Sequence, residues 1–135
     1  MKLESFGTLL YKKNKNKVFV LLVHPSGDKN KNASWSIPKG KKEKKETGVE
    51  AAVRETFEET GVEIDPNSLK DYGFVTYKSK KVVYCYMSKV ENSLKAKPTS
   101  WEVDKVEFVE LEEAKKIIHQ KQVYFLDKLE KELGI

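Results

Sequence analysis

The first hydrophobic positions cluster in two short blocks, Phe6 to Tyr11 and Val18 to His24, separated by the polar run "KKNKNK". Apolar blocks of this length bounded by turn-forming residues predict two strands joined as a hairpin. The following "PSGDKNKNAS" combines Pro, Gly, Asp and Asn, which predicts an exposed loop. It leads through a short strand-like piece, "WSIP", into the lysine-rich "KGKKEKKET". From about Thr47 or Gly48 to Thr60 the pattern becomes helical, and Gly61 is placed to end the helix in a left-handed conformation. Alternation returns at Tyr72 to Tyr77 and Val82 to Val90 around "KSKK", and again at Lys105 to Val109. The last segments, "LEEAKKIIHQ" and "VYFLDKLEKEL", space their apolar residues as helices do. This order predicts a mixed sheet with helices packed on it, an α+β protein of the α/β/α sandwich type.

On the central predicted helix, Val49, Val53, Thr56 and Thr60 fall within one arc, which is expected to face the core. Glu55, Glu58 and Glu59 share another arc spanning roughly 100°. Ala51 and Ala52 lie near that second arc, where small side chains would leave room for an approaching ligand. A solvated acidic face is the plain explanation, but two costs oppose it. The carboxylates sit close to the helix C-terminus, against the macrodipole, and they repel one another. Only Arg54, at the edge of the arc, offers a cation. Oxygen ligands at i, i+3 and i+4 suit a hard divalent ion such as Mg²⁺, which would remove both costs.

Composition narrows the setting. A chain of 135 residues with 39% hydrophobic residues suits one domain, 1–135, around one core. The net charge of +5 rests on many charges of both signs and favours anionic partners only weakly. Cys85 is the only cysteine, so no internal disulfide and no cysteine-based zinc site is available. Its place in "VVYCYM" is that of a buried small hydrophobe. No apolar run is long enough to span a bilayer and the start "MKLESFGTLLY" has no signal-peptide pattern, so the expected location is cytoplasmic.

The spacing around the helix is more specific than its charge. Gly40, five residues, Glu46, seven residues and then "RETFEETGV" resembles the Nudix box, residues 40–62. Thr56 departs from it, standing where an aliphatic residue is usual, and Lys44 and Lys45 stand where a Pro-Gly turn is common. The resemblance implies a Nudix fold and a Mg²⁺-dependent hydrolase, with Mn²⁺ as the alternative ion, that cleaves a diphosphate linked to another moiety. Glu58 and Glu59 match the principal metal ligands, and Glu55 matches a residue that binds metal or acts as base. Arg54 matches the arginine that orients these glutamates. The Lys39 carbonyl matches a backbone ligand, and Glu46 matches the glutamate that braces the loop.

Outside the box, Glu102 and Asp104 are candidates for an additional carboxylate, with Glu102 favoured. The Lys39 ammonium is a candidate phosphate ligand. Tyr77, Tyr84 and Tyr86 are candidate base-stacking residues beside the usual packing role of alternating aromatics. Trp35 reads as core, and His24 and His119 fit no catalytic arrangement. The strand "VVYCYM", the stretch "WSIPKG" and the segment "SWEVDKVEFVELEEA" look like those of diadenosine tetraphosphate hydrolases within the family. A dinucleoside polyphosphate is therefore the expected substrate. Nucleoside triphosphates, ADP-ribose and the 5′ end of RNA are alternatives, as is a non-catalytic module that binds nucleotides or RNA.

Overall fold

The computed structural model describes residues 3–135. Its strands are β1 (Glu4–Asn14), β2 (Lys17–Pro25), β3 (Lys39–Lys41), β4 (Lys70–Thr76), β5 (Val82–Lys89) and β6 (Val103–Glu110). Its helices are α1 (Gly48–Thr60), α2 (Leu111–Ile117) and α3 (Val123–Leu133). The strands form one mixed sheet in the order β4-β5-β1-β2-β6, with β3 paired to β1. β1 and β5 run parallel, and the other neighbours run antiparallel.

The two predicted strands of the first hairpin are longer than their apolar blocks. Pairing extends through Lys12, Lys13 and Asn14 opposite Phe19, Val18 and Lys17, with Lys15 in a left-handed turn at φ 58°. Backbone bonding continues past the last buried position because exposed lysines can still complete a ladder.

β1 changes partner along its length. Tyr11 to Asn14 pair with β2, whereas Ser5 to Gly7 pair with β3. β2 meanwhile continues alongside β6. The expected strand "WSIP" is instead a connector between these diverging strands. Ser36 exchanges both backbone bonds with Val23 at 2.8 and 2.9 Å, Trp35 exchanges bonds with Ile117 and His119, and the Pro38 carbonyl accepts from Thr8 at 3.1 Å. The regular strand lies just beyond, in the polar Lys39–Lys41, because it completes the edge left free by β2.

Alternation on the strands supplies two core faces. Leu9, Val20, Leu22, Val83 and Cys85 meet Phe125, Leu126 and Leu129 of α3 on one side. On the other side, Phe6 packs with Ala51 and Ala52, and Leu10 and Leu21 pack with Val62. Burying each large aliphatic side chain contributes roughly 1.5–3 kcal/mol before ordering costs. The helix–sheet–helix layering is the α/β/α sandwich predicted from the element order.

The core face of α1 differs from the expected one. Ala51, Ala52, Thr56, Glu59 and Thr60 are buried, while Val49 and Val53 are only half-buried. The alanines allow close approach to Phe6 on β1, so they serve packing and leave no opening for a ligand there. Thr56 also acts through its hydroxyl, which lies 2.7 Å from that of Thr8 in a fully buried pair. Thr56→Val is expected to lower unfolding free energy by about 1–3 kcal/mol, since it strands the Thr8 hydroxyl. Adding Thr8→Val should recover most of that loss in equilibrium denaturation, and a purely additive double mutant would refute the coupling.

Candidate active site

The helix bearing the acidic cluster is defined at both ends by its own residues. Thr47 Oγ1 accepts from the Glu50 N–H at 3.1 Å and Glu50 Oε1 accepts from the Thr47 N–H at 2.8 Å, closing a capping box. At the other end Gly61 adopts φ 75° and its N–H donates to the Phe57 carbonyl at 2.9 Å. Further downstream the chain returns to satisfy the remaining carbonyls of the last turn. The Lys97 N–H donates to Thr60, the Thr99 N–H to Glu59, and Thr99 Oγ1 to Glu58. That return brings Glu102 to the carboxylates of α1.

Arg54 organises the acidic arc. Its Nε donates to Glu46 Oε2 at 2.6 Å and its Nη2 donates to Glu46 Oε1 at 2.9 Å, a forked pair. Nη1 donates to Glu58 Oε1 at 2.6 Å and lies 3.4 Å from Glu55 Oε2. Nη2 also donates to the Lys41 carbonyl at 2.9 Å, tying the helix to β3. The Arg54 bond holds the Glu46 carboxyl down at about 2, with the Glu43 N–H assisting. Glu46 thus closes the lysine-rich loop without the Pro-Gly turn, and Glu43, 3.2 Å from Arg54 Nε, joins the same network.

Glu55 rests directly over Gly40, where an added Cβ would overlap its carboxylate. Burial raises the Glu55 pKa, with Arg54 opposing. Glu59 is only 8% exposed, and burial pushes its carboxyl up to about 8 although the charge of Lys39 pulls it down. Glu102 adds to the repulsion felt by both. Among the described residues no three carboxylate, imidazole or thiol groups already converge at metal-ligand distances. Arg54 engages Glu58, and Lys39 faces Glu59. The donor set nevertheless fits a hard divalent ion. Two partly desolvated carboxylates, a third within the same helical turn and a backbone carbonyl are all oxygen ligands, and a cation would offset their mutual repulsion.

Glu55, Glu59 and Lys39 open onto a cleft of about 600 Å³ where β1 and β2 diverge. Lys39, Glu55, Glu59, Glu102 and Tyr77 all line it. Lys81, His119 and Trp35, which sequence patterning did not single out for the site, line it as well. Contacts order them from one end to the other. Lys39 faces Glu59, and its charge also reaches Lys81. Burial, followed by the charge of Lys39, lowers Lys81 to about 8, and its Nζ lies 5.9 Å from the Tyr77 ring centroid. The Tyr77 and His119 rings stack with centroids 4.0 Å apart at an interplanar angle of 2°. Burial and the nearby lysines depress the His119 pKa, favouring its neutral ring. Fully buried Gln122 holds this end in place, donating to the Tyr77 hydroxyl at 2.8 Å and accepting from the Ile37 N–H at 3.0 Å.

Several predicted site residues lie elsewhere. Tyr84 stacks on Phe6 with centroids 4.7 Å apart and donates to Glu4, while Tyr86 packs with Phe6 against Ala51 and Ala52. Both support α1 outside the cleft, because the alternation of β5 turns them toward that helix. Asp104 is drawn to buried His24, whose Nδ1 lies 2.9 Å from Asp104 Oδ1. The register of β2 against β6 shifts at His24 and Pro25, setting Asp104 apart from Glu102. Glu58 lies outside the cleft on the adjoining surface. The sequence carries no local signal for Lys81, His119 or Gln122, since each reaches the site through long-range pairing.

The site is thus a carboxylate-bearing helix organised by one arginine, beside a cleft lined by lysines and stacked rings. Residues 1–129 match the NUDIX domain, and the chain belongs to the Nudix family. Among solved structures it resembles a Caenorhabditis elegans Ap4A hydrolase binary complex at 27% identity and a TM-score of 0.81, covering 96% of this chain and 98% of that one. The NUDIX domain of Shewanella oneidensis NrtR, complexed with ADP ribose, has a TM-score of 0.83 at 16% identity over 98% of this chain and 89% of that one, a likeness of fold. The m7GpppN-mRNA hydrolase dcap-2 of C. elegans is 35% identical over 96 residues, 70% of this chain; the match spans 12% of that relative's length. Among the described residues, no helix is long and apolar enough to cross a membrane.

Gly40→Ala is expected to displace the Glu55 carboxylate while retaining the fold. A displacement near 1 Å costs on the order of 100-fold in turnover when a reacting group is misaligned. Unchanged turnover with unchanged thermal stability would separate Glu55 placement from catalysis.

Proposed function

We propose that this protein is a Mg²⁺-dependent hydrolase of nucleoside diphosphate-linked compounds, with dinucleoside polyphosphates as substrates. The observation that carries the reading is the order within one cleft: carboxylates, then Lys39 and Lys81, then the Tyr77–His119 stack. A nucleotide presents the complementary order of metal-bound phosphate, further phosphate and base. Likeness to the Ap4A hydrolase over nearly the whole of both chains supports the same substrate class.

Glu55, Glu58 and Glu59, with the Lys39 carbonyl, would hold the metal, with Mn²⁺ as an alternative ion. When bound, a divalent ion acidifies water and offsets phosphate charge. Arg54 keeps the carboxylates of Glu55 and Glu58 oriented despite their repulsion. Lys39 and Lys81 bind phosphate oxygens, and the anion in turn favours the charged form of desolvated Lys81. Tyr77 and His119 present a flat, largely neutral surface to the base. Glu102 and Glu55, which both line the cleft, would accept the proton of the attacking water. Asp104 is a weaker candidate because it is committed to His24.

Capped RNA is the second reading, favoured by the 35% identity to dcap-2. Chromatography of products from dinucleoside polyphosphates, nucleoside triphosphates, ADP-ribose and capped RNA, with Mg²⁺ or with chelator, tests both. Metal-dependent cleavage of diadenosine tetraphosphate well above the others is expected. Preferential release of a capped nucleotide would favour the second reading, and metal-independent binding without cleavage of any compound would favour a binding module.

Glu59→Gln should reduce turnover at least 100-fold in Mg²⁺, because one ligand charge is removed from the cluster. Lys81→Met should chiefly raise KM, by roughly 10- to 100-fold, the worth of one charged hydrogen bond to phosphate. A fall in kcat with constant KM would instead place Lys81 in the chemical step.

A further inference from the structure

A groove of about 460 Å³ lies beside Glu58 and is lined by none of the residues of the stacked end, Tyr77 and His119. Phe57, Gly61, Thr99, Ser100 and Trp101 line it together with Glu58. Trp101 is 87% exposed and Phe57 is 48% exposed. An indole this open commonly belongs to a loose surface segment, but this one is held on both sides. Thr99 bonds the carbonyls of Glu58 and Glu59, and the Ser100 hydroxyl accepts from the Glu102 N–H at 3.2 Å. The Glu102 carbonyl then accepts from the Ser26 N–H at 2.9 Å. Trp101 is thus presented from an anchored backbone between two site elements.

The chemistry of the groove differs from that of the cleft. Among the described residues its one charged lining residue is Glu58, and no lysine or arginine lines it. Such a surface disfavours phosphate and suits an uncharged, planar, apolar group. The groove adjoins the cleft through consecutive residues: Glu58 faces the groove and Glu59 the cleft, as do Trp101 and Glu102 respectively. A ligand whose phosphates lie across these carboxylates therefore has one end near Tyr77 and the other near Trp101.

We propose that Trp101 and Phe57 form a second base platform, which receives the distal nucleobase of a dinucleoside polyphosphate whose first base stacks at Tyr77 and His119. This inference rests on the dinucleoside polyphosphate reading given above. It makes Trp101 a specificity residue that distinguishes a phosphate chain with a nucleoside at both ends from one with a nucleoside at one end.

The test compares diadenosine tetraphosphate with adenosine 5′-tetraphosphate, which has the same phosphate chain and one base, using the full chain in Mg²⁺. Trp101→Ala is expected to raise KM for the two-base compound roughly 10-fold or more, the usual scale for loss of a base–aromatic stack, while KM for the one-base compound moves less than about 2-fold. Trp101→Phe should restore most of the difference. Equal changes for both compounds would show that Trp101 supports the carboxylates and would overturn the platform. No change for either would also overturn it and leave the groove to a macromolecular partner. If the unmodified protein cleaves the one-base compound but not the two-base compound, the parent substrate reading fails and the platform falls with it.

Discussion

Arg54 solves a problem that the acidic helix creates for itself. Carboxylates near a helix C-terminus repel one another and oppose the macrodipole, and burial of Glu55 and Glu59 adds a desolvation cost. The guanidinium sits among Glu46, Glu55 and Glu58 and also takes the Lys41 carbonyl, so one cation bridges loop, helix and β3. Its planar fork suits this work, because it reaches several acceptors in fixed directions where an ammonium would reach them less selectively. Glu59 lies beyond these contacts and remains desolvated, facing Lys39. A cation bound at this end of the cleft, as proposed, would offset that residual electrostatic cost.

The cleft itself arises from a conflict in strand pairing. β1 cannot pair with both β2 and β3 at the same positions, so the strands diverge and the connector around Trp35 fills part of the space. Fully buried Gln122 then joins the connector to Tyr77, linking the stacked end of the cleft to the sheet. At the opposite end, the return of Lys97 to Glu102 satisfies α1 carbonyls and delivers both Trp101 and Glu102. Backbone groups that need partners thereby set the positions of chemically important side chains.

Much of the fold was legible because its signals are local. Alternation located β1, β2, β4, β5 and β6, and the Thr47–Glu50 cap and Gly61 bounded α1. The polar β3 was missed because its pairing depends on where β2 departs from β1. The inward face of α1 was misread because alanine packing against Phe6 outweighed the larger valines. Glu59 lies on that buried side while belonging to the acidic arc, which a division into core and polar faces could not represent.

The sequence by itself determined the family motif, the acidic helix and the proximity of Arg54 to Glu58, since contacts one helical turn apart follow from spacing. It also supplied Lys39, Tyr77 and Glu102 as candidates, but not their meeting in one cleft. Only the tertiary structure separated Glu102 from Asp104, moved Tyr84 and Tyr86 behind α1, and added Lys81, His119 and Gln122. These outcomes depend on strand register, a bulge and buried hydrogen bonds between distant segments. Such contacts are chosen by the packing of the whole chain, and no local periodicity encodes them.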